Sequence, residues 1–208
     1  MYIVRIFHPG QAAYIQLQEA VARHFYLHHG ARPEPRPDQF WCLTGRDGQA
    51  PGYASVGVSS GDNAKLFSEY YLDISLTETY GIHRSELVEI GQFSSFAAKG
   101  AGRFLLTYVL RTLGIHRYKY AVLTATRQVR DLLTSMNVEF DDVGSACQSR
   151  VRDKHIEWGT YYRNQPRVIV IDLAEALSAM SEPGWTPPLS RQPVGIRVHD
   201  AAPSISLR

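Results

Sequence analysis

Cysteine is scarce: Cys42, in an apolar setting, and Cys147, in a polar one, are the only two in 208 residues. They are too few for a disulfide framework and too far apart for a paired metal or redox motif, so both are expected to be free thiols in a reducing compartment. Charge of one sign is missing too. The 22 Lys and Arg stand against 20 Asp and Glu, a formal charge of +2, without a run of like charges. Nucleic-acid and anionic-membrane binding therefore have no electrostatic footprint. The longest uncharged stretches, such as FLLTYVL at 104–110, fall far short of the roughly 20 residues that cross a bilayer. The opening MYIVRIFHPGQ lacks a basic segment followed by an apolar one. It reads as a first strand rather than a signal peptide, so cytoplasmic residence is expected. No GxSxG motif, P-loop or internal repeat occurs. What is present is 44% apolar residues, enough for one domain with a sizeable core.

Residues 2–7 alternate as a strand. Tyr14, Leu17, Val21 and Phe25 then paint one face of a helix ending near Gly30. The proline-rich 31–39 must be a connection. FWCLT and YASVGVSS read as an antiparallel hairpin around the glycine-rich GRDGQAPG. Residues 65–73 suggest a short helix and 86–94 a strand. The clearest helix follows, with Leu105, Leu106, Val109, Leu110 and Leu113 inward, Arg103, Thr107 and Arg111 outward, and Gly114 ending it. A buried strand at 118–126, a helix at 127–136 and a strand at 167–173 complete the pattern. From about 179 to 208 periodicity gives way to proline and serine, so a domain over 1–178 and a tail over 179–208 are expected. The order predicts a mixed α/β sheet flanked by helices rather than a doubly wound parallel one.

Chemistry concentrates in VEIGQFSSFAAKGAGRFLLTYVL (88–110). Gly100 and Gly102 lie between a strand and a helix, where backbone N–H groups and the helix N-terminus suit a phosphate; a tight turn is the plainer explanation. Glu89 lies within an apolar strand. Alternation places Val88, Ile90 and Gln92 on one face and Leu87, Glu89, Gly91 and Phe93 on the other. An isolated buried carboxylate is costly, so Glu89 either pairs with an arginine or faces a polar cleft as a general base. Gly91 would let a substrate approach the strand. Thr124, Thr126 and Arg127 end a strand, where open sheets bind ligands. Arg127 could clamp a substrate carboxylate, partner Glu89, or merely start a helix in solvent. Trp158, Tyr161 and Tyr162 read as packing, with either tyrosine able to protonate a leaving thiolate. His24 and His28, at i and i+4 beside His29, lack a further ligand at a recognised spacing, so a surface cluster is expected and no metal. Glu69 and Asp73 suit either a substrate or a solvated helix end.

A mixed sheet whose central strand runs into a glycine loop and an amphipathic helix resembles the GNAT acyltransferase fold, with Ala97 where that loop usually starts with Gln or Arg. LFSEYYLD (66–73), LVEIGQFSS (87–95), AVLTATRQVRDLL (121–133) and WGTYYRNQPRVI (158–169) resemble, in order and spacing, the thermostable hemolysin family, a relative of GNAT proteins. EIGQF also resembles the EISRF segment of acyl-homoserine-lactone synthases, Gln92 replacing the arginine. The resemblance implies a GNAT-like, mostly antiparallel central sheet and an N-acyltransferase. Its co-substrate would be acyl-CoA or acyl-phosphopantetheine on an acyl carrier protein, with no tightly bound cofactor or metal. The acceptor would be an amine or amino-acid-type small molecule, and a homodimer is conceivable. Phe93, Ser94, Lys99, Gly100, Ala101, Gly102 and Arg103 would hold the donor. Glu89, Arg127, Tyr161 and Tyr162 would carry the chemistry, and whether a tunnel opens beside Phe93, Phe96 and Phe104 is a question for the structure. The competing expectations are a membrane-active protein, as the family name suggests, a signal synthase, or an interaction module that lost its chemistry.

Overall fold

The computed structural model describes residues 2–96, 100–116, 118–151 and 155–180. Strand β1 (Ile3–Phe7) leads through α1 (Ala12–His29) to the hairpin of β2 (Gln39–Thr44) and β3 (Ala54–Ser60). After α2 (Leu76–Tyr80) come β4 (Leu87–Ser95), α3 (Ala101–Ile115), β5 (Tyr120–Ala125), α4 (Arg127–Thr134), β6 (Asp141–Ser145), β7 (Arg167–Asp172) and α5 (Leu173–Ala179). The strands form one sheet in the order β1-β2-β3-β4-β5-β7-β6. Only β4 and β5 run parallel to each other. The mixed, mostly antiparallel sheet flanked by helices is thus the one expected.

Strand alternation divides the core. Val88, Ile90, Leu123, Ile169 and Ile171 pack with Leu105, Leu106 and Leu110 of α3, whereas Leu87, Val122, Val168 and Val170 pack with Trp158 and Tyr161 on the other face. Tyr14, Leu17 and Val21 of α1 cover Phe40 and Cys42, as their spacing predicts.

Several expectations are corrected. Helix α3 does not stop at Gly114 but continues to Ile115. A Cβ on Gly114 would come within 2.8 Å of Leu177 Cδ1 and 3.1 Å of the Leu173 carbonyl, so this glycine lets α5 pack closely. Thr107 is buried rather than wet, because α3 is covered on more than one side. Residues 65–73 form only a 3₁₀ turn at Phe67–Tyr71. Strand β6 escaped the sequence reading because DDVGS is polar and mostly exposed, as suits a sheet edge. Helix α5 did carry a signal: Asp172 Oδ1 accepts from Ala174 N at 2.8 Å and Glu175 N at 3.1 Å, an N-cap. Of the expected tail, residues 181–208 lie outside the described residues.

Two features of β4 create the site. Its parallel pairing with β5 stops after Leu87↔Tyr120, Val88↔Ala121 and Glu89↔Val122, although both strands continue. On its other edge β4 carries a bulge: Ser55 pairs with Ser94 but Gly57 with Gly91, and Gln92 has φ 47°. The extra residue reverses the alternation. Phe93 therefore joins Val88 and Ile90 on the α3 side, correcting the face assigned from simple alternation.

Candidate active site

Where β4 and β5 part, a cavity of about 680 Å³ opens. Ile90, Gly91, Gln92 and Phe93 line it from β4, Leu123 and Thr124 from β5, and Leu106 from α3. The C-terminal half of α1, the start of α4 and the turn at 160–164 close the remaining walls. Beyond Glu89 the edge of β4 facing β5 has no strand partner among the described residues, so its backbone groups face this opening.

Glu89 is buried, with 8% of its surface exposed, and no arginine among the described residues pairs with it. Its Oε2 accepts from Phe67 N at 2.8 Å, and its Oε1 from Ser68 N at 2.7 Å and Ser68 Oγ at 2.5 Å. The carboxylate thereby caps the 3₁₀ turn, an environment neither sequence expectation anticipated. Burial outweighs these bonds and pushes its pKa above the ordinary carboxylate value, the nearby Glu69 adding to the shift. Glu89 does not itself line the cavity. Ser68 Oγ, however, lies 2.9 Å from Thr124 Oγ1, and Thr124 does, so a hydrogen-bonded chain runs from the cavity through Thr124 and Ser68 to Glu89. Ser68 had no sequence signal, because the contact spans 56 residues.

The two tyrosines are separated by the fold. Tyr162 is half-buried and its hydroxyl lies 2.7 Å from that of Tyr71, whereas Tyr161 is buried and lines the cavity. Burial raises the pKa of both, Tyr162 to about 12, so each stays neutral at physiological pH. The Tyr161 turn is anchored to the end of α1: the His29 carbonyl accepts from Thr160 N at 2.7 Å and Thr160 Oγ1 at 3.2 Å. Gly159 makes this approach possible, since it has φ 51° and a Cβ there would collide with the His29 carbonyl. Gly159→Ala is expected to cost about 2–3 kcal/mol, or roughly 4–12 °C in Tm, measurable by thermal unfolding.

The glycine step divides into two roles. Gly100 has φ 93° and caps α3, whose first N–H groups, from Ala101, Gly102 and Arg103, have no acceptor within the helix. Gly102 serves packing instead, for a Cβ there would lie 2.8 Å from Phe93 Cζ. Arg103 donates to Ser135 Oγ at 3.2 Å and to the Ser135 carbonyl at 2.8 Å, tying α3 to the end of α4. Ser94 is buried, with Oγ 3.4 Å from the Gln92 carbonyl. Ala97 and Lys99 lie outside the described residues. Phe93 lines the cavity, but Phe104 packs beside Tyr2 and Phe96 against His24. Arg127 reaches neither Glu89 nor the cavity. Its side chain is 78% exposed and sits 3.8 Å from Asp131 one turn along α4, so the helix-start expectation describes it. Glu69 and Asp73 are tied down: Arg84 holds Glu69 at 2.6 Å, and Arg150 grips both Asp73 oxygens at 2.7 and 2.6 Å.

His24, His28 and His29 are not simply a surface cluster, because all three line the cavity. No group of three or more His, Cys, Asp or Glu among the described residues is arranged to hold a metal ion. Burial, reinforced by His28 and His29, pushes His24 down to about 4. Such a neutral histidine favours folding above its unfolded pKa of about 6.5, and that contribution is lost as pH falls toward 4. Thermal unfolding between these pH values should show Tm falling in the wild type and a flatter profile in His24→Gln. Neither cysteine lines the cavity, and burial pushes the Cys42 thiol up to about 12, so neither thiol is placed there as a nucleophile.

A family model described as thermostable hemolysin matches residues 7–177. No curated protein matches the sequence. Among solved structures, the chain is similar to FeeM, an N-acyl amino acid synthase from uncultured soil microbes, with a TM-score of 0.59 at 15% identity over 86% of this chain and 94% of that one. It is similar to BjaI, a CoA-dependent acyl-homoserine-lactone synthase, with a TM-score of 0.58 at 8% identity over 86% and 88%. It is also similar to arylalkylamine N-acetyltransferase 2 from Aedes aegypti, with a TM-score of 0.51 at 13% identity over 82% and 99%. At such identities these likenesses establish the fold, which is GNAT-like. No helix among the described residues is long and apolar enough to cross a membrane.

Proposed function

We propose that this chain, which belongs to the thermostable hemolysin family, is an N-acyltransferase that moves an acyl group from acyl-CoA or an acyl carrier protein to an amine. The observation that carries the reading is the opening between β4 and β5, served by the Thr124–Ser68–Glu89 chain. The acyl-pantetheine arm would enter this opening and bond the free edge of β4, as an added strand does. Its phosphates would meet Gly100, Ala101 and Gly102 at the start of α3.

The amine attacks the thioester carbon directly. A C–N bond forms, the C–S bond breaks, and backbone N–H groups of β4 stabilise the oxyanion between the two events. The amine's proton passes to Thr124 while the Thr124 proton passes to Ser68 and the Ser68 proton to Glu89. A carboxylate held above its ordinary pKa is a stronger base for this task. Tyr161 donates a hydrogen bond to the departing sulfur. Its raised pKa means that it keeps its proton, and solvent protonates the thiolate.

Thermal-shift titrations with acyl-CoA, CoA, acyl carrier protein and phosphatidylcholine–phosphatidylglycerol liposomes test the proposal. Saturation with a thioester donor, at about 100 times Kd, should stabilise the chain by about 2.7 kcal/mol, or roughly 5–10 °C. Stabilisation by liposomes with no response to any donor would overturn acyl transfer in favour of membrane action.

A further inference from the structure

The cavity has two unlike sides. Phe93, Leu106, Val129 and Leu132 are apolar, whereas the wall built from α1 and the turn at Tyr161–Asn164 presents His24, His28, His29 and Arg163. No Asp or Glu is among the described residues that line it. Arg163 is exposed and has no ion pair with a described carboxylate. Beside it, Asn164 Nδ2 lies 3.3 Å from His29 Nδ1. With the amide as donor, His29 Nδ1 accepts and its proton rests on Nε2, which becomes a further hydrogen-bond donor.

This asymmetry bears on the acceptor. A simple alkylamine or polyamine arrives as an ammonium ion and would find an unpaired guanidinium with no carboxylate to hold it. An amino acid brings its own anion. Its carboxylate can take a bidentate fork from Arg163, while its amine turns toward Thr124 and the thioester. The apolar side is left for the acyl chain.

We infer that Arg163, with His29 and Asn164 beside it, forms a carboxylate-binding subsite that selects an amino-acid acceptor. The inference rests on the acyl-transfer reading for its purpose, but binding alone can test it. Calorimetric titration of the full chain with each of the twenty proteinogenic amino acids, and with the corresponding C-terminal amides, measures the contribution of the carboxylate. At least one amino acid should bind about 10- to 100-fold more tightly than its amide, the usual range for a charge-assisted pair. Arg163→Met should abolish that preference and Arg163→Lys should keep part of it, because lysine preserves the charge but not the fork. Binding of every amino acid no more tightly than its amide, or a preference that survives in Arg163→Met, would overturn the subsite. Stabilisation by acyl-CoA and by an acyl carrier protein is scored in parallel, so the absence of both responses in the wild type counts against acyl transfer and not against Arg163.

Discussion

Replacing Glu89 with glutamine should lower the turnover number for acyl transfer by about 10²- to 10⁴-fold, the range contributed by a positioned general base. Donor binding should persist, because Glu89 does not line the cavity. Part of the effect will be structural. A glutamine NH₂ would face Phe67 N or Ser68 N, both donors, at a stability cost of about 1–3 kcal/mol. Thr124→Val separates the two contributions, since it cuts the chain at the cavity and leaves the three bonds to Glu89 intact. Turnover should fall at least 10-fold with Tm nearly unchanged; full activity in Thr124→Val would remove the relay.

The pH dependence of the same carboxylate has opposite signs for activity and stability. Glu89 must be ionised to accept a proton, so turnover should rise with pH along a limb lying above its ordinary value of 4.5. Its raised pKa favours the folded state most below the unfolded value. That contribution is lost as pH rises through the folded one, so the Tm of the wild type relative to that of Glu89→Gln should fall as activity climbs. A limb at the ordinary carboxylate value would show that another group governs turnover.

Gly91→Phe should abolish donor binding while leaving the fold intact. A Cβ on Gly91 meets nothing within 4 Å, and the residue lines the cavity, so a large side chain projects into the opening rather than into neighbours. The thermal response to acyl-CoA should disappear and kcat/KM should fall more than 100-fold, because a filled slot excludes substrate and transition state alike. Gly102→Val supplies the contrast. Its Cβ collides with Phe93, so it should lower Tm before any effect on binding is considered. If Gly91→Phe binds acyl-CoA as the wild type does, the opening between β4 and β5 is not the donor site.

The contrast between these glycines shows what the sequence could reveal. The amphipathic faces of α1 and α3, the hairpin of β2 and β3, and the buried strands β4 and β5 were legible, because periodicity reports local geometry directly. Glu89 stood out as an acid in an apolar strand. Its partners did not, since Ser68 and Thr124 meet only through the tertiary fold. The bulge at Gln92 was equally hidden, and it alone moved Phe93 to the opposite face from the one alternation assigned. Arg127 looked well placed at a strand end, but helix α4 turns its side chain to solvent. Arg163 carries no signal within its aromatic stretch, because only the tertiary fold brings its turn against α1.

A structure of the full chain bound to a non-transferable thioether analogue of acyl-CoA would locate the donor. The analogue's sulfur should lie between Gly91 and Thr124, with its phosphates at the start of α3. An analogue bound elsewhere, or a β4–β5 opening left empty at saturating ligand, would contradict this placement.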